Sequence, residues 1–205
     1  MALTLHIDTE TWRKHLLNYV AAHPAVVPVV KGNGYGFGNT VLAAAATELG
    51  VSTLAVGTYD EIALVESVFS GDLLVLSPWR PWIDAAPLHD PRVVHTVSRV
   101  EDLRALSSSG NRPRVVIEVL TSMRRHGVRL DELPTIVPLL DGVGFEGWAL
   151  HLPLADDTVP EARSLAQRAR ATRPGPVWVS HLPMARVREL GVPDVRLRVG
   201  TALWL

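Results

Sequence analysis

The chain has 205 residues, 47% hydrophobic and 20% charged, an ordinary globular composition with length enough to bury one sizeable core. A formal net charge of −1, with acids and bases mixed along the sequence, leaves no electrostatic footprint for nucleic acid or an anionic membrane surface. With no cysteine, disulfides, thiolate metal sites and cysteine nucleophiles are excluded.

In chain order, Met1 to Leu5 is too short for the apolar core of an export signal, and the polar residues His6, Asp8 and Glu10 keep it from extending further. No apolar run approaches the ~20 residues that span a bilayer, so the cytoplasm is the expected location. Leu3, Leu5 and Ile7 alternate with polar residues as in a strand. Asp8 or Thr9 is then placed to cap a helix to about Ala22, with Trp12, Leu16, Leu17 and Val20 as its buried stripe. The apolar run Ala25 to Val30 reads as a buried strand that delivers Lys31 to its C-terminal end, before a loop with glycines at 32, 34, 36 and 38. Asn39 or Thr40 can cap the next helix, and Gly50 sits where a helix-terminating glycine belongs.

From here the chain alternates strand and helix. Strands are expected at Thr53 to Val56 and at about 73–77, 93–97, 114–119, 145–151, 176–180 and 195–199. Helical patterns fall near Asp60 to Phe69, Val100 to Ser107, Asp131 to Leu140, Pro160 to Ala171 and Met184 to Leu190. With the lysine strand that makes eight strands, which suggests an α/β fold of the (β/α)8 TIM-barrel type in one domain over 1–205; a doubly wound open sheet is the alternative. A barrel gathers its chemistry at the C-terminal ends of its strands, and the polar residues there are Lys31, Arg125, His151, Ser180, His181 and Arg198.

A lysine in apolar surroundings loses its proton cheaply, and a neutral amine can form a Schiff base with a carbonyl. The plain alternative is a surface lysine before a flexible turn. A phosphate-binding P-loop is excluded because its lysine comes after the glycines, and the dinucleotide fingerprint fails because its last position is Phe37 or Asn39. No H-E-x-x-H pair suggests zinc, so no metal is expected, and no G-x-S-x-G elbow suggests a serine hydrolase. His89, His95 and His126 read as surface or loop residues, and the six tryptophans as core or interface.

The stretch Val29-Val30-Lys31-Gly32-Asn33-Gly34-Tyr35-Gly36-Phe37-Gly38 resembles the V-V-K-A-N-A-Y-G-H-G signature of alanine racemases, whose lysine carries pyridoxal 5'-phosphate (PLP). Glu118-Val119-Leu120-Thr121-Ser122-Met123-Arg124-Arg125-His126-Gly127 resembles that family's K-V-D-T-G-M-G-R-x-G motif. The resemblance gives Arg125 the substrate carboxylate and the cofactor phenolate, leaves Arg124 in a solvated turn, and puts Glu118 where the family lysine is often carbamylated. Gly147-Trp148-Ala149-Leu150-His151-Leu152, continued by Asp156-Asp157, is similar to the stretch around the family's site histidine, which implies that His151 steadies Arg198. Arg196-Leu197-Arg198-Val199-Gly200-Thr201-Ala202-Leu203-Trp204 resembles the R-x-G-x-x-L-Y pattern. It implies that Arg198 faces the pyridine nitrogen, while Tyr35, Ser180 and the Gly200 and Thr201 amides hold the phosphate. Ser180-His181 stands where the family has an N-S pair.

The resemblance runs from Leu5-His6-Ile7-Asp8 to Leu203-Trp204. It implies a PLP-dependent amino-acid racemase, an isomerase that interconverts L- and D-amino acids such as alanine: Lys31 holds the cofactor as an aldimine and moves the α-proton on one face. The implied partners are a small amino-acid substrate and a second copy in a homodimer. Alanine racemases carry a β-rich C-terminal domain after the barrel, expected to begin where this sequence stops at Leu205. The alternatives are a single-domain PLP-binding or PLP-homeostasis protein, an inactive barrel fragment of a longer racemase, and a related decarboxylase or aldolase using the same lysine.

Overall fold

The computed structural model describes residues 6–83, 86–154 and 157–205. Eight parallel strands close into a barrel in chain order: β1 (Val26–Val30), β2 (Thr53–Val56), β3 (Asp72–Val75), β4 (Val93–Val97), β5 (Arg114–Val119), β6 (Gly144–His151), β7 (Val177–Ser180) and β8 (Val195–Val199). β8 pairs back onto β1 through Val26, Val27 and Pro28, so the open-sheet alternative is overturned. The strands match the largely apolar runs because a parallel barrel strand is covered on both faces along most of its length. Leu3 and Leu5 of the expected N-terminal strand lie outside the described residues.

The barrel is plugged by Val27, Val29, Ala55, Leu74, Val94, Val116, Ala149 and Trp178. One large indole among alanines and valines fills the interior by size complementarity, and truncating Trp178 would cost ~3–5 kcal/mol. Trp178 also donates its indole N–H to the Glu146 carbonyl at 2.8 Å. That carbonyl lies at a break in the β5–β6 register, where Gly147 takes a φ of +122° and a β-carbon would run into the Pro176 backbone.

The outer shell contains α1 (Thr9–Ala22), α2 (Asn39–Glu48), α3 (Ile62–Val65), α4 (Val100–Ser107), α5 (Leu133–Ile136), α6 (Val159–Thr172) and α7 (Thr201–Trp204). Asp8 caps α1 by accepting from the Glu10 and Thr11 amides at 3.1 Å. The expected stripe is narrower than predicted. Leu16 is buried, but Leu17, one position and about 100° further round the helix, is 58% exposed. The cap of α2 is Gly38, at φ +91°, and Asn39 is drawn into the first turn and buried. Gly50 ends that helix in the left-handed region, as its position implied. The patterns at Asp60–Phe69 and Asp131–Leu140 yield only short α-helices joined to 3-10 turns, with Pro134 and Pro138 breaking the second. Among the described residues no helix is long and apolar enough to cross a membrane.

Candidate active site at the C-terminal mouth

Side chains alternate in and out along a strand, so the residue two positions after a plug residue belongs to the next interior layer. Counting two on from Val29, Ala55, Leu74, Val116, Ala149 and Trp178 gives Lys31, Gly57, Leu76, Glu118, His151 and Ser180. Five of these, with Arg198, Arg125, His126, Ser77 and Pro78, line a cavity of about 200 Å³ at the barrel mouth. Lys31, Leu76, His151 and Arg198 also line an adjoining cavity of about 680 Å³, which adds Tyr35, Ser180, His181, Gly200 and Thr201. Lys31, Tyr35, Glu118, Arg125, His151, Ser180, Arg198, Gly200 and Thr201 therefore all line one or other of two adjoining lobes. A cleft of about 820 Å³ between α1 and α2 receives no strand-end residue, and its Arg13 and Glu48 pair with each other.

Lys31 is exposed at the mouth, so the apolar surrounding expected around its amine is absent. Its place is fixed by Glu61, which no sequence motif marks. The carboxylate accepts from the Gly32 amide at 2.7 Å and the Gly57 amide at 2.6 Å, tying together the ends of β1 and β2. The glycines at 32, 34, 36 and 38, and Tyr35 between them, all have positive φ, and only such a loop turns the Tyr35 ring back over the barrel. The Tyr35 hydroxyl rests so close to Gly200 that a β-carbon there would collide with it.

Arg125 donates from Nη2 to His151 Nδ1 at 3.1 Å. Burial, and then the cations Arg198 and Arg125, push His151 down to about 3, so the ring is neutral and accepts at Nδ1. Its backbone carbonyl accepts from Thr121 Oγ1 at 2.6 Å. The expected His151–Arg198 support is replaced by a different pairing. Arg198 donates from Nη2 to the Leu150 carbonyl at 2.9 Å, because register sets the end of β8 two strands from β6 with Ser180 between.

Arg198 is buried, and desolvation lowers it to about 10, with Glu118 opposing the drop and Arg125 adding to it. It remains charged at neutral pH. Glu118 is 2% exposed; burial raises it, and Arg198, Arg125 and Arg80 pull the other way. Arg198 Nε and Glu118 Oε2 are buried with no hydrogen-bond partner among the described residues. His126, expected at the surface, is exposed but lines the smaller lobe, and His95 is fully buried on β4 against Tyr59. Arg124 sits at φ +52° in an exposed turn. Asp156 lies outside the described residues.

Fold and site together define a (β/α)8 barrel with its polar residues gathered at the strand C-termini. The family model for the alanine racemase N-terminal domain matches residues 7–177, and the chain belongs to that family. It is 33% identical over 187 residues to the alanine racemase of Mycobacterium tuberculosis, covering 84% of this chain and 45% of the relative. The crystal structure of alanine racemase from E. faecalis superposes with a TM-score of 0.76 at 26% identity, over 94% of this chain and 57% of that one. That from Bartonella henselae, with covalently bound pyridoxal phosphate, gives 0.78 at 20% identity, over 94% and 58%. The chain thus spans about half the length of the curated relatives it matches.

Proposed function

We propose that this chain is the cofactor-holding barrel of a PLP-dependent amino-acid racemase acting on a small amino acid such as alanine. The observation that carries it is the meeting, in one cavity, of the Lys31 amine, the buried Arg198 and the Tyr35 hydroxyl over Gly200. The donor set fits the group. Arg198 retains an orphaned N–H, Gly200 lets the Tyr35 hydroxyl come down onto the backbone at the head of α7, and Lys31 offers a primary amine. When bound, PLP supplies an aldehyde carbon that joins amines and a conjugated ring that takes up the charge left by a departing α-proton.

In this reading Lys31 would hold the aldehyde end through Nζ, and the same amine would be placed to move a proton at one face of the substrate α-carbon. Arg198 would face the ring nitrogen; a guanidinium charged at neutral pH does not yield its proton, which would suit racemisation over chemistry that needs a protonated ring. Tyr35, Ser180 and the Gly200 and Thr201 amides take the phosphate. Arg125, oriented by His151, takes the substrate carboxylate with its planar pair of donors. Glu118 places a carboxyl near Arg198 and Arg125, whose positive charges oppose the rise that burial imposes on it. In the complete enzyme the functional unit is a homodimer.

The test is the visible spectrum of the protein with added PLP, for wild type and Lys31→Ala, then exchange of the α-proton of L- and D-alanine. A band lost in the variant, with exchange from at least one enantiomer, is expected. A band without exchange assigns the chain to the PLP-binding alternative, and no band in the folded wild type overturns both.

A further inference from the structure

His181 has no role in the proposed function, yet it lines the larger lobe. That lobe contains Lys31, His151, His181 and Arg198 and, among its described lining residues, no aspartate or glutamate. Among its polar side chains, an anion entering it meets cationic or cation-capable groups and hydroxyls beside an apolar wall that includes Leu76, Leu182 and Met184. His181 Nδ1 lies 2.8 Å from the Leu152 carbonyl. A carbonyl only accepts, so Nδ1 carries a proton and the open valence of the ring is at Nε2, which no described residue hydrogen-bonds. The His151 ring packs edge-on against it at 4.7 Å between centroids and stays neutral, adding no positive charge beside it. The charged groups facing His181 are Lys31 from the end of β1 and Arg198 from β8, with Arg125 behind His151; Tyr19 and Tyr35 are the other titratable groups of the lobe.

We propose that His181 is a phosphate ligand, its Nε2 hydrogen-bonded to the phosphate ester held beside Tyr35 and Gly200 and sharing one proton with it. A phosphate monoester loses its second proton near pH 6. The bond forms either from an imidazolium N–H to the dianion or from the monoanion O–H to the neutral nitrogen, and the proton count is the same in both. The inference rests on the proposed function for the identity of the ester, but not for the anion site itself.

The test compares PLP with pyridoxal, which lacks the phosphate, on wild type and His181→Asn. Asparagine tolerates the positive φ of +61° at this position and keeps a donor for the Leu152 carbonyl, but it is too short and cannot become cationic. PLP affinity is expected to fall roughly tenfold to a hundredfold, the range for a hydrogen bond to a charged group, with pyridoxal affinity unchanged. Imidazole ¹⁵N resonances of the wild type should report protonation at His181 Nε2 on titration with PLP or with inorganic phosphate. Equal losses for PLP and pyridoxal, or an Nε2 that ignores both phosphates, overturn the assignment, and the wild-type titration decides even if the variant fails to fold. A wild type that forms no PLP band while inorganic phosphate still protonates Nε2 sinks the racemase reading and leaves the anion site standing.

Discussion

Two arginine clusters, one part-exposed and one buried, sit at opposite ends of the same barrel and are satisfied to different degrees. At the N-terminal end Arg114 donates to Asp72 through two nitrogens, to Glu146, and to the Pro91 carbonyl, all at 2.8 Å. Those bonds raise its pKa above the ordinary arginine value despite partial burial. At the C-terminal mouth Arg198 has one backbone partner, an orphaned Nε and a pKa lowered to about 10. The same side chain is satisfied at one end and left wanting at the other. A fully matched cluster stabilises the barrel; an incompletely matched one leaves polar atoms free to meet a ligand.

The sharpest way to break this contrast is to replace the mouth pair by apolar residues. Glu118→Leu combined with Arg198→Met should hold or raise the melting temperature, since a poorly satisfied buried pair is often neutral or worse than a hydrophobic replacement. The same variant should bind PLP ~100-fold more weakly in a spectral titration. Arg114→Ala should do the opposite: about 2 kcal/mol lost in urea unfolding, between the values for surface and buried pairs, with PLP affinity unchanged.

His95 tests whether an orphaned atom is enough to mark a site. Its Nε2 is buried and unpartnered, its Nδ1 lies 2.8 Å from the Tyr59 hydroxyl, and it lines neither lobe of the mouth. Burial lowers it to about 4 from an ordinary 6.5. The folded state therefore favours the neutral ring, and the stability it contributes is present above pH 6.5 and lost as pH falls toward 4. By pH 5 the loss should be about 2 kcal/mol, and His95→Phe should flatten that slope in unfolding measurements without altering PLP binding. The smallest effect expected is for Gly200→Ala. Its methyl displaces the Tyr35 ring, and PLP affinity should fall about tenfold with melting temperature nearly unchanged.

The mouth and the wall were not equally legible. Lys31, His151 and Ser180 could be found from a sequence because each follows an apolar run, and the alternation that buries Val29, Ala149 and Trp178 carries the next inward residue to the mouth. Glu61 was missed because nothing local marks a carboxylate that reaches two backbone amides on separate loops. His95 was misplaced because one histidine in an apolar strand gives no sign of which face it takes until the strand has neighbours. The exposure of Lys31 was missed for a related reason: an apolar strand describes what precedes the lysine, while the solvent beyond it belongs to the open mouth.

By itself the sequence determined the eight strands, their order along the chain and the set of polar residues at their ends, because period and composition are local properties of the backbone. Tertiary structure alone decided that the sheet closes, that His151 supports Arg125 and not Arg198, and that Tyr35 rests on Gly200. Those are contacts between residues far apart in the chain, fixed by the register of β8 against β7 and β1, and register is set only when the strands pair.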